Sequence, residues 1–119
     1  MLAALLRTFA QESPIIASGA SLSGAIDMRK LTMGVLHMPA AWTAASIGFH
    51  VCSTQGGSFQ PLYDKNGSLV QISSPAAACA YVLPADLAGC HWIKLWSQDG
   101  AGSGANQAAA RSFTLDMKA

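Results

Sequence analysis

Charge is what this chain has least of: seven Lys or Arg and six Asp or Glu in 119 residues. That 11% is less than half the share of about 25% usual in globular domains. With so few ions to face water, apolar surface in excess of one core's needs is expected, and with it broad contact with other protein chains. A net charge of +1 without a basic run lacks the electrostatic footprint of a nucleic-acid or anionic-membrane binder, so neither partner is expected. Long apolar runs are missing too. No stretch approaches the roughly 18 to 20 residues of a membrane-spanning helix. Residues 1–10 (MLAALLRTFA) have no basic start, and Arg7 interrupts a short apolar run, so they are not read as a secretion signal. Synthesis and assembly in the cytoplasm are expected.

Cysteines are few and odd in number: Cys52, Cys79 and Cys90, too widely spaced for a CxxC metal pair. Two readings stand side by side. The thiols are small buried hydrophobes, or they join in an intrachain or interchain disulfide once the protein reaches an oxidising medium. Cys90 and His91 form no dyad by adjacency, since neighbours on a strand point to opposite faces.

Catalytic motifs are absent as well. His37, His50 and His91 fall on different expected strands without HExxH or HxH spacing, and the acidic residues are scattered singly. The run 100–104 (GAGSG) lacks the strand-to-helix context that phosphate binding needs. Asp64, Asn66 and Gly67 read as a turn rather than a calcium loop. No cofactor, no metal and no enzymatic activity are expected.

What is present is strand language. Residues 38–63 (MPAAWTAASIGFHVCSTQGGSFQ, then PLY) specify a hairpin: Ile47, Phe49 and Val51 share one face, Gly48, His50 and Cys52 the other, and Gly56-Gly57 supply the turn. Asn66-Gly67 predicts a second, type I′ turn, with residues 69–72 returning as its partner strand. Residues 25–37 read as one extended segment whose pleat shifts at a bulge or turn near Arg29-Lys30. Residues 77–83 are apolar and extended, and 84–88 (PADLA) read as one helical turn with Gly89 at its stop. In 91–97 (HWIKLWS), Ile93 and Leu95 point one way, Trp92, Lys94 and Trp96 the other. Two tryptophans flanking a lysine suit either a platform for a sugar or a protein partner, or burial against a second layer. Residues 99–110 read as a flexible Gly/Ala loop and 111–118 as a last strand burying Phe113, Leu115 and Met117.

Seven to nine short strands with turns every 8 to 12 residues or so predict an all-β fold, a single antiparallel β-sandwich of jelly-roll type. Residues 1–12 are expected to form an N-terminal arm or short helix, residues 13–119 the sandwich domain.

A resemblance covers about five-sixths of the chain. Its pieces are 15–23 (IIASGASLS), 38–45 (MPAAWTAA), 59–64 (FQPLYD) before a turn, 83–89 (LPADLAG), 92–95 (WIKL) and 106–111 (NQAAAR). Together they resemble a family of small virion-associated β-sandwich proteins of tailed bacteriophages and prophages, with departures at the cysteines and at His91-Trp92. The resemblance implies a non-enzymatic structural protein that decorates or cements a phage capsid. Its implied partners are the major capsid protein or other virion proteins and further copies of itself, and its implied place is the virion surface. The alternative it implies is a carbohydrate-binding module of a head fibre or tail, taking a surface glycan on Trp92, Trp96 and Tyr63.

Overall fold

Alternation of apolar and polar residues sets most of the elements, and they fall into two packed sheets. A computed structural model describes residues 9–119, with eleven strands among them. These are β1 (Phe9–Glu12), β2 (Ile15–Ile16), β3 (Ile26–Asp27), β4 (Met33–His37), β5 (Ser46–Cys52) and β6 (Gln60–Pro61). There follow β7 (Gln71–Ile72), β8 (Ala80–Val82), β9 (Trp92–Gln98), β10 (Arg111–Ser112) and β11 (Thr114–Lys118). Residues 1–8, most of the expected arm, lie outside the described residues. Its described end, Phe9–Glu12, is a strand rather than helix and pairs with β11.

One sheet has the order β1-β11-β4-β8; the other runs β3-β9-β5-β6, with β7 also pairing β5. All pairings are antiparallel. A two-stranded ladder, β10 with β2, ties the end of the chain to its beginning. Between the sheets, Ile47 and Phe49 of β5 and Ile93 and Leu95 of β9 join Leu36 of β4 and Leu115 and Met117 of β11 in one fully buried cluster. Each such side chain contributes about 1.5–3 kcal/mol by leaving water. The sandwich is therefore the antiparallel all-β fold that the alternation predicts.

Over residues 25–37 the shift near Arg29-Lys30 is the turn and not the bulge: Asp27 accepts bonds from the Arg29 backbone N–H and from its guanidinium, Leu31 N–H bonds Met28, and the turn carries the chain from one sheet to the other. Two local readings need correction. The Asn66-Gly67 turn is not type I′, because only Gly67 has positive φ (+81). Its amide closes a turn on the Asp64 carbonyl, so Lys65 and Asn66 are the central pair and Gly67 follows in the left-handed region. The last strand is broken at Phe113, whose N–H leaves the ladder for the Pro14 carbonyl while its ring is buried against Trp42. The helical turn over 84–88 is found as a 3-10 helix, Ala85–Gly89.

Candidate partner-binding surface

The two sheets are finished differently on their outer faces. On the β9 sheet the outward side chains are roofed by loops. Gly48 leaves room for the Trp96 indole, since a Cβ there would sit 2.9 Å from Trp96 Cε3. His50 meets that indole edge-on at 4.4 Å. Arg29 lies 4.9 Å over the Trp92 ring, and Lys94 lies 4.5 Å over Phe59. Trp92 and Trp96 are thus only 9% and 6% exposed. This corrects the sugar-platform reading: the indoles that were to stack on a glycan are the inner surface of a second layer. Tyr63, 49% exposed, stands apart beside the loop at Gly102. His50 shares the roofed layer: its Nε2 is buried without a partner, and burial, then the Lys94 charge, lowers its pKa.

Among the described residues the β1-β11-β4-β8 sheet has no such roof. Its outward residues are in register across the strands: Phe9 beside Lys118 beside Met33, and Gln11 beside Asp116 beside Val35 beside Val82. Phe9, Met33 and Val82 are 74%, 50% and 78% exposed. A shallow hollow of about 270 Å³ opens between Met33, Val35, Val82 and the flanking Asp116 and Lys118. Asp116 is the polar pivot of the face. It accepts from Gln11 at 2.8 Å and pairs with His37 Nε2 at 2.9 Å, and these contacts, Gln11 foremost, lower its pKa. Apolar side chains in water at one corner and an ordered polar triad beside them make a surface suited to binding protein. The sequence carried a trace of it: β4 (MGVLH) is apolar on both parities, so one parity must face outward.

The cysteines are all free thiols. Cys52 and Cys90 line one open hollow of about 500 Å³ with Thr54, Ser58, Gln60 and His91, whereas Cys79 is exposed next to β8. Burial, with the Asp86 charge second, raises the Cys90 pKa. Among the described residues no three His, Cys, Asp or Glu side chains gather as a metal site would require.

Sequence reading missed how the 99–110 loop is held. Buried Gln98 accepts through Oε1 from Gly100 and Gly102 N–H and donates to Gln71, while buried Gln107 bonds Thr43, Ser97 and Arg111. A repeated pentapeptide was the available signal. DKNGS at 64–68 and DGAGS at 99–103 share one frame, each Asp accepting two backbone N–H bonds within its own turn and closing it with a bond to the Ser carbonyl, while Gly100 takes positive φ where Lys65 does not.

No family model and no curated protein sequence matches the chain. One solved structure does. The fold is similar to that of the SPBc2 prophage-derived protein YomS, seen in its crystal structure, with a TM-score of 0.54 over 96% of this chain and 97% of that one. Identity is 12%, so the likeness is one of fold, and it extends over the whole sandwich rather than a single hairpin.

Proposed function

We propose that this chain is a non-enzymatic structural protein of a phage particle, which decorates or cements the capsid by binding the assembled lattice rather than free subunits. The observation that carries the reading is an outer sheet face left uncovered among the described residues, with Met33, Val35 and Val82 clustered at one corner and Phe9 at the far edge, across Asp116 and Lys118 of β11. End-to-end similarity of fold to a prophage-derived protein supports it, as do the scarcity of charge and the family resemblance of the sequence pieces. The partner is the major capsid protein or another virion protein. Lattice contacts bury the face only when subunits are assembled, so binding stabilises the particle by mass action.

Quantitative mass spectrometry of purified particles tests this directly. Hundreds of copies per particle are expected, together with earlier heat or osmotic rupture of particles lacking the protein. Absence from particles, or unchanged rupture, would overturn the reading. Replacing Met33 and Val82 by Asp is expected to abolish incorporation while leaving the isolated fold intact, because both side chains already face water.

A further inference from the structure

Beside the apolar corner lies a strand edge that is open among the described residues. Leu83 N–H donates to Gly34 and Met38 N–H to the Cys79 carbonyl, so these positions and Tyr81 turn their backbone groups toward β4. Donors and acceptors alternate sides along a strand, and the N–H and C=O groups of Ala80 and Val82 therefore point out of the sheet. Both residues are exposed. Each edge strand of this sheet runs on to a proline two residues past its end, Pro14 after β1 and Pro84 after β8, but only β1 also carries a charge, Glu12, which discourages pairing. Residues 79–83 have neither charge nor proline.

We infer that β8 is the seam of a two-fold dimer, in which a second copy of this chain pairs antiparallel with it about Tyr81. The arrangement is self-complementary: Ala80 of each copy faces Val82 of the other, and each such pair exchanges two N–H···O=C bonds. Small Ala80 lies against β-branched Val82 on the outer face, a fit without overlap. Charge does not oppose the pairing: β8 carries none, the outward His37 of β4 beside Ala80 is held by Asp116, and Asp116 and Lys118 lie two strands away. Pairing would join two four-stranded sheets into one of eight strands and set the two apolar corners side by side. The inference deepens the proposed function, whose lattice component is expected to self-associate, but it concerns the isolated protein and fails independently of it.

The test is the mass of purified protein by light scattering across a concentration series, with amide exchange by NMR alongside. A dimer of twice 12.3 kDa is expected, with a dissociation constant on the order of 10 µM, the weak range fitting so short a seam. The Ala80 and Val82 amides should gain protection as concentration rises. Val82→Lys, at a side chain that faces water, should weaken the dimer at least about tenfold. Ala80→Pro, which removes an outward N–H not used within the monomer, should do the same. A protein that stays monomeric at high concentration overturns the inference. So does a dimer unaffected by both substitutions, or one whose Ala80 and Val82 amides stay unprotected. Particle incorporation of wild-type protein alongside a monomer in solution would reject the seam and leave lattice binding standing.

Discussion

Gln107 and Thr43 exchange a reciprocal pair of hydrogen bonds: Thr43 N–H donates to Gln107 Oε1, and Gln107 Nε2 donates to the Thr43 carbonyl, both at 3.0 Å. A side-chain amide thus does what a strand backbone does in a ladder, across 64 residues of sequence. Gln107 Nε2 also reaches Ser97 Oγ, and Arg111 donates to both Gln107 and Thr43. The segment before β5, the long loop and the start of β10 are held together by this one side chain.

Gln107→Ala is accordingly expected to cost about 2–4 kcal/mol, because it leaves the half-buried backbone of Thr43 and the buried Ser97 hydroxyl without their bonds. Thermal or denaturant unfolding measures it. A loss under about 1 kcal/mol would mean that the loop holds its shape without the glutamine.

Gly48 and Trp96 are opposed on β5 and β9, and the absent side chain of one is the space of the other. Gly48→Ala drives a methyl group against a rigid ring and is expected to destabilise by about 1–3 kcal/mol. Tryptophan fluorescence should shift with it. Gly24→Ala, where a Cβ meets nothing within 4 Å, is the matched control and should stay within about 0.5 kcal/mol of wild type.

These two contacts mark what was legible in the sequence. Period-two alternation placed β5, β9 and β11 and their core residues correctly, because alternation is a direct consequence of the pleat. The burial of Trp92 and Trp96 was open between two readings, since alternation tells which face a residue takes but not whether a loop covers that face. What roofs them comes from elsewhere in the chain, Arg29 above Trp92 and Gly104 beside Trp96. Gln107 gave no local signal at all: a polar residue in a Gly/Ala loop looks solvated until tertiary structure supplies Thr43 and Ser97. Likewise the single extended segment over 25–37 became two strands in different sheets because the Asp27–Arg29 contact turns the chain.

Asp27 gives that turn a pH dependence. Its paired contact with the Arg29 side chain, then the Arg29 backbone N–H, lowers its pKa from 3.8 to about 2. A depressed carboxylate contributes stability that is complete above the unfolded value of 3.8 and is lost as pH falls through about 2. Both groups are exposed, so the effect is local. The indole N–H resonance of Trp92, under Arg29, should titrate with a midpoint of about 2, and Asp27→Asn should abolish the titration. A midpoint near the ordinary carboxylate value would show the contact to be unformed in solution.

The twin turns offer a comparison within one molecule. Gly67 and Gly102 hold the same place in DKNGS and DGAGS, and both have positive φ, +81 and +96. Alanine at either position pays the left-handed penalty, about 1 kcal/mol or somewhat more. Around Gly67 there is open space, whereas a Cβ on Gly102 would approach the Tyr63 hydroxyl at 3.2 Å. Gly102→Ala should therefore be the costlier change, and Tyr63→Phe should reduce the difference by removing the crowded oxygen. Equal losses from Gly67→Ala and Gly102→Ala would show that Tyr63 swings clear, leaving backbone strain as the whole cost.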